Sequence, residues 1–403
     1  MIIQPKTWGF VCTTAHPAGC AANVGDQIAH VRAAGGTKDG PRRVLVIGAS
    51  TGYGLAARIQ AAFGHGAATL GVMLEKPPRG RKTASAGWYN SAAFEDQARQ
   101  AGLSSVSLNA DAFAHETRQR AIDLIGTALG GPVDLVIYSL ASPVRRMPDS
   151  GETVRTALRP IGQPFRGTTI DTDKDCLTEV CVEPATEQEI ADTVAVMGGD
   201  DWQLWMDALN RAGALSTDAR AVAFSYLGPE LTWPIYRDGT IGRAKAHLEQ
   251  VARAMCEQAG RDDFARVAVL KSIVTQASAA IPVIPLYLSV VSRVMREHGV
   301  DEGAIGQQVR LFRDFLYPAA GEAATDEAGR LRLDERELAP DIQQACLELW
   351  PRIKDSNLND VTDYPAYKRQ FLNLFGFARD DVDYGAEIDP QVPFEPATVP
   401  GPN

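Results

Sequence analysis

Long apolar runs are missing from this 403-residue chain: no stretch approaches the ~18 consecutive apolar residues that a membrane span requires. Cysteine is scarce and scattered, with Cys12, Cys20, Cys176, Cys181, Cys256 and Cys346 as the full set. That leaves no disulfide framework and predicts free thiols in a reducing compartment. Positive charge is in deficit, 40 lysines and arginines against 50 acidic residues. The net charge of −10 argues against non-specific binding to nucleic acid or to an anionic membrane, so an anionic ligand has to be met by a local basic patch. There is no internal repeat and no low-complexity tract, and Met1 to Val11 lacks a basic segment leading into an apolar core, so a cytoplasmic location is expected. What is present is an ordinary globular composition, 45% hydrophobic and 22% charged.

The pattern of apolar residues predicts an α/β fold. Val44, Leu45, Val46 and Ile47 form a short continuous run that reads as a buried parallel strand. Gly48 follows at once, and Leu55, Ile59 and Phe63 then recur at helical spacing. Further strand-like runs lie at 69–74, 106–108, 133–139, 221–226 and 267–274, with helical segments between them. Such alternation predicts a Rossmann-type doubly wound parallel sheet, one large domain over 1–403. The connection from Ser139 to Ala219 spans about 80 residues, where a simple crossover needs roughly a dozen. It holds a hairpin near 168–170 and 177–182 and a helix near 202–209. Residues 140–218 are read as an inserted segment that covers the substrate, because insertions after a strand's carboxyl end lie where ligands bind. Trp202 and Trp205 are expected to fill core or line an apolar pocket. Residues 282–390 read as a mainly helical extension, and the last ~15 residues as a loosely held tail.

Gly48, Gly52 and Gly54, spaced G-x3-G-x-G, link the first strand to its helix through Ala49, Ser50, Thr51 and Tyr53. A turn without Cβ atoms lets a pyrophosphate approach the backbone, and the helix N-terminus offers it free N–H groups. The second strand ends at Leu74 and Glu75. An acidic side chain there can accept hydrogen bonds from the adenosine ribose and repel a 2′-phosphate, which favours NAD(H). Lys76, Arg79, Arg81 and Lys82 lie close by and weigh against that preference. Asp111 follows the third strand, where it can meet the adenine, and Ser139 and Leu140 end the fourth, beside the expected nicotinamide ribose.

Tyr236 and Lys245 are separated by eight residues. On one continuous helix, nine steps would put them about 180° apart. A helix must therefore start between them, with Asp238, Gly239 and Thr240 as break and cap. Lys245 then shares the apolar face of Ile241, Leu248, Ala252 and Met255, an expensive place for an ammonium without a task. Tyr226 closes a strand ten residues before Tyr236, so the two phenols can converge. Cys12, His16 and Cys20 have a spacing of four, but Pro17 restricts His16 away from helix, and no metal site is expected.

The strand end Ser225-Tyr226-Leu227-Gly228, Tyr236 and Lys245 together resemble the FabV-type enoyl-acyl-carrier-protein reductases and the related trans-2-enoyl-CoA reductases, within the short-chain dehydrogenase/reductase superfamily. Segments around Gly9-Phe10-Val11-Cys12, Gly87-Trp88-Tyr89-Asn90, Leu158-Arg159-Pro160-Ile161-Gly162 and Ile273-Val274-Thr275-Gln276 extend the likeness along nearly the whole chain. The resemblance implies an NADH-dependent reduction of the trans-2 double bond of an enoyl thioester in fatty acid biosynthesis. It implies Tyr236 as catalytic donor, Lys245 as ribose-binding lysine and Tyr226 as a ligand of the thioester carbonyl. It also implies NADH contacts at Gly48 to Tyr53, Leu74, Glu75, Asp111, Ala112, Ser139, Leu140, Val274, Thr275 and Gln276. It further implies acyl carrier protein or coenzyme A as the substrate carrier, and a monomer, the usual form of such enzymes. Arg79, Arg81, Lys82, Arg145 and Arg146 are the candidate basic patch for that carrier. Two other readings are a carbonyl reductase, with Ser225 polarising the ketone, and a non-catalytic NAD-sensing regulator. A sensor has no need of the Tyr236/Lys245 pair.

Overall fold

The computed structural model describes residues 1–36, 39–321 and 323–399. Its centre is a seven-stranded sheet in which every neighbouring pair is parallel. In chain order the strands are β1 (Arg43–Ile47), β2 (Ala68–Met73), β3 (Ser105–Asn109), β4 (Val133–Tyr138), β5 (Leu215–Ser225), β6 (Ala265–Val269) and β7 (Leu331–Arg332). Their spatial order is β7-β6-β5-β4-β1-β2-β3, the doubly wound Rossmann order with one strand added. The chain starts in the middle, builds to one edge, and returns to build the other half.

Alternate residues of β1 divide between two helical layers, which is why the run is apolar without alternation. Leu45 and Ile47 join Trp202, Trp205 and Leu248, from helices Asp200–Arg211 and Thr240–Ala259. Val44 and Val46 join Ala57, Ala61 and Phe312, from helix Gly52–Ile59 with its π-helical continuation Gln60–Gly64 and from the segment Leu311–Leu316. Trp202 and Trp205 are therefore core: both are fully buried, and the Trp205 indole donates to the Ala112 carbonyl at 3.1 Å.

Between β4 and β5, residues 140–199 stand outside the central sheet. They form a small hairpin (Val144–Arg146 with Thr153–Arg155), a longer one (Phe165–Asp171 with Cys176–Val182) and helix Glu187–Met197. That helix starts at a capping box between Thr186 and Glu189. Asp200–Arg211 then lies on the sheet. A third apolar cluster gathers helices Ile284–Glu297, Pro340–Leu349 and Tyr364–Asn373 around Tyr287, Ile342 and Tyr364.

Three expectations need correction. The sixth strand ends at Val269, not Val274, and the chain from Leu270 onward is a loop over the sheet's carboxyl edge. The terminal segment is not loose: Ala397 bridges Leu108 in parallel, exchanging hydrogen bonds with Ser107 and Asn109 at 2.8 Å each, and so closes the open edge of β3. Arg145 is no surface cation. It is 1% exposed, reaching Asp201 at 3.6 Å and the Ala195 carbonyl at 2.7 Å, and it lies over the Phe113 ring. Asp201 is itself buried against Arg118 and the Tyr138 hydroxyl, so Arg145 belongs to a buried ion network.

Candidate active site

The carboxyl ends of all six longer strands open onto one edge of the sheet, and the order reverses there between β1 and β4. Gly48 follows β1, Leu74 and Glu75 follow β2, Asp111 and Ala112 follow β3, and Ser139 and Leu140 follow β4. Tyr226 follows β5, and Val274 and Thr275 lie on the loop after β6, with Gln276 opening the short helix that follows it. The fold thus brings these positions to one edge, across the crevice where open α/β sheets bind dinucleotides.

The glycine turn is built as the chemistry needs. Gly48 has φ +86°, and a Cβ there would fall 2.5 Å from the Ser139 carbonyl oxygen. A Cβ on Gly54 would fall 1.9 Å from the Gly48 oxygen, so only glycine lets the helix pack on its own turn. Thr51 precedes the helix without a side-chain cap, which leaves the first N–H groups open to an anion. Ser50 donates to Glu75 Oε1 at 2.6 Å and Ser85 to Oε2 at 2.5 Å, fixing the carboxylate at the end of β2. Asn109 closes the β2–β3 edge by accepting from the Glu75 N–H at 2.7 Å. These residues fit a dinucleotide: a backbone cradle for phosphate and an anchored acid for ribose. The Tyr53 side chain points elsewhere, its hydroxyl held by the Lys271 carbonyl at 2.7 Å and its ring against Phe224. Only its backbone is left for a cofactor. Thr275 caps the short helix Gln276–Ala279, accepting from the Ser278 N–H at 2.9 Å, while Gln276 is exposed.

Tyr236 sits on a tight loop, its N–H bonded to the Thr232 carbonyl at 2.9 Å. Its own carbonyl accepts from Gly242 at 3.0 Å, which ties it to the first turn of helix Thr240–Ala259. Gly242 is required here, because a Cβ would meet the Arg237 carbonyl oxygen at 1.7 Å. Across this junction the Arg159 carbonyl accepts from Thr240 at 3.0 Å, so the inserted stretch is fastened to the start of the helix. Lys245, half-buried on the second turn, donates from Nζ to the Phe224 carbonyl at 3.3 Å. Burial lowers its ammonium to about 8, against an opposing pull from Glu249.

The rings of Tyr226 and Tyr236 meet edge to face, centroids 5.0 Å apart at 80°. Burial alone pushes the Tyr236 phenol well above its ordinary range. In the free protein the phenol simply stays protonated. The Tyr236 hydroxyl has no hydrogen bond among the described residues, whereas the Tyr226 hydroxyl donates to Glu337 Oε1 at 3.0 Å.

Glu337, Ser272 and Tyr287 escaped the sequence reading. Glu337 lies past β7, fully buried, and also accepts from the Tyr287 hydroxyl at 2.7 Å, the Ser272 hydroxyl at 2.8 Å and the Ser272 N–H at 2.7 Å. Ser225, the group a ketone reductase would use, is buried with its hydroxyl unpartnered among the described residues.

Three adjoining regions of the chain match known families. Residues 2–80 match the NAD(P)H binding domain of trans-2-enoyl-CoA reductase, and residues 82–317 match the catalytic region of trans-2-enoyl-CoA reductase. Residues 325–388 match a region described as an enoyl reductase FAD binding domain. A curated relative from Chromohalobacter salexigens, named enoyl-acyl-carrier-protein reductase (NADH), is 58% identical over 402 residues, covering 98% of this chain and 99% of its own length. One of the same name from Xanthomonas campestris is 58% identical over 397 residues, with coverage of 98% and 99%. The crystal structure of Treponema denticola trans-2-enoyl-CoA reductase in complex with NAD superposes with a TM-score of 0.93 at 42% identity, covering 96% of this chain and 98% of that one. The flavin description does not fit the residues here. Three arginines that could meet a flavin diphosphate are bound to carboxylates: Arg330 to Asp326, Arg332 to Asp334, Arg336 to Glu302. The rings of Tyr364, Tyr367 and Phe371 are buried in the cluster around Ile284–Glu297.

Proposed function

The chain belongs to the trans-2-enoyl-CoA reductase family, and from that premise we propose that it reduces the trans-2 double bond of an enoyl thioester to the saturated acyl thioester, with Tyr236 as donor. NADH, when bound, supplies the hydride that reaches Cβ of the substrate. The observation that carries the reading is an unengaged, protonated phenol, Tyr236, set edge to face with Tyr226 beyond the carboxyl end of β5, on the loop that leads into the helix bearing the partly sunk Lys245 ammonium. Lys245 has donors to spare for the nicotinamide ribose hydroxyls. Tyr236 points a neutral O–H at the thioester oxygen, where negative charge grows as hydride arrives, and a donor placed there acts mainly in the transition state. Glu75, anchored by Ser50 and Ser85, receives the adenosine ribose and disfavours a 2′-phosphate. The names of the curated relatives support acyl carrier protein as the carrier, in fatty acid synthesis. The six cysteines are all free, which suits a reducing cytoplasm, and we propose that the enzyme works there as a monomer.

The decisive measurement is NADH oxidation with crotonyl-CoA and with the matching carrier-protein thioester. Tyr236→Phe should lower kcat by ~10²–10³ while leaving NADH affinity in place. Tyr226→Phe should cost far less. If Tyr226→Phe abolishes turnover and Tyr236→Phe is nearly wild type, the two phenols have exchanged roles. Full activity in both variants would sink the proposed chemistry.

A further inference from the structure

Glu337 is 0% exposed and makes no ion pair with a lysine or arginine among the described residues. Lys271, next to Ser272 in the chain, is committed to Asp301 at 3.0 Å, and Arg336, the residue before Glu337, to Glu302 at 3.4 Å. A buried carboxylate is tolerated when hydrogen-bond donors replace the missing counter-ion. Four do so here, from Tyr226, Tyr287 and both donors of Ser272, and all the distances lie between 2.7 and 3.0 Å. Gln343 completes the shell from behind, its amide reaching the Glu337 carbonyl at 2.6 Å and the Tyr287 oxygen at 3.2 Å. An ionised carboxylate can only accept. The single proton of Tyr226 is therefore turned away from the cofactor crevice, and its oxygen can only accept from whatever lies in front of it.

The same arrangement fixes the neighbouring phenol. Tyr226 presents its ring at 80° to the ring of Tyr236, 5.0 Å away. The Gly228 backbone passes close beside Tyr226, where a Cβ would stand 3.0 Å from the ring. We infer that Glu337 is a positioning residue, which accepts the hydrogen bond of the Tyr226 hydroxyl, makes that phenol a fixed wall and acceptor, and so leaves donation to the thioester oxygen to Tyr236. The inference rests on the reading of Tyr236 as donor and adds a reason why two adjacent tyrosines do not compete for one role.

The test is a double-mutant cycle on kcat, with enoyl-CoA and NADH as substrates, over Glu337→Gln, Tyr226→Phe and the combined variant. Glu337→Gln should lower kcat about 10-fold, since small misplacements of a reacting group are costly, with KM for NADH unchanged. In the Tyr226→Phe background the same substitution should change kcat by less than about 2-fold, because the two act through one contact. An equal loss in both backgrounds would show that Glu337 acts only by packing, and overturns the assignment. Unchanged kcat in a folded Glu337→Gln protein overturns it too. If that variant does not fold, Glu337→Asp keeps the charge on a shorter stem and is carried through the same cycle, with the same two outcomes. Failure of the donor reading is seen separately, as a Tyr236→Phe protein that retains full kcat.

Discussion

Lys245 shows at the residue scale how function sets a cost on the free fold. Its ammonium lies on the inward stripe of a helix, one carbonyl its only hydrogen-bond partner among the described residues, and burial lowers it from 10.5 to about 8. The folded value lies below the unfolded one, so between about 8 and 10.5 the unfolded chain binds more protons and stability rises with pH. Below that window the folded state bears the full cost of the charge. Lys245→Met should therefore stabilise the cofactor-free protein at pH 7, by on the order of 1–3 kcal/mol, and the gain should fade as pH approaches 10.5. Thermal unfolding of both proteins at the two pH values checks this; a less stable methionine variant at pH 7 contradicts it. The same variant should bind NADH more weakly and lack the loss of NADH affinity that the wild type should show as pH rises through about 8.

At the scale of elements, legibility followed sequence distance. The first strand, its glycine turn and its helix are contiguous, and each glycine has a local steric cause, so that unit could be read directly. Gly54 makes it testable. A Cβ would fall 1.9 Å from the Gly48 carbonyl oxygen, backbone that cannot swing aside, so Gly54→Ala should push the helix off its turn and weaken NADH binding at least about 10-fold. Equilibrium NADH binding alongside circular dichroism decides it: a folded variant of unchanged affinity removes the steric argument. Glu337 was illegible for the opposite reason. Its partners are 111, 65 and 50 residues away, and an isolated glutamate reads as surface charge unless its burial is seen. The only local hint is Leu331–Arg332, a two-residue strand too short to show a period of two. Arg145 was misplaced by the same habit, since arginine is usually solvated and only the fold shows Asp201 waiting for it. The terminal segment was misjudged because proline and acid suggest a solvated tail. Its order comes from one exposed strand edge, and from Phe394 against Trp88 and the Pro390 carbonyl that accepts from Tyr89.

For the molecule as a whole the question is how a protein of net charge −10 captures an anionic substrate. Coenzyme A carries phosphates and carrier proteins present acidic faces, so the general field opposes approach and local charge has to reverse it. With Arg145 buried, the candidate patch is left with the exposed Arg79, Arg81 and Lys82, beside Lys76, and with Arg146 on the inserted hairpin. The first four follow Glu75 directly, on a loop closed by a reciprocal pair of backbone bonds between Arg79 and Lys82. Gln391 of the terminal segment steadies that loop through the Gly80 carbonyl at 3.3 Å. The loop is thus a fixed cationic projection beside the ribose end of the cofactor site, on an otherwise acidic molecule. Replacing Arg79, Arg81 and Lys82 by serine should raise KM for the thioester several-fold at low ionic strength. The difference should shrink towards ~1 M salt, where the screening length falls to about 3 Å. KM for NADH should hold, because Glu75 and its serine anchors are untouched. A salt-independent rise in KM would point to a steric role for the loop, and no rise at all would return these cations to the ordinary solvated surface.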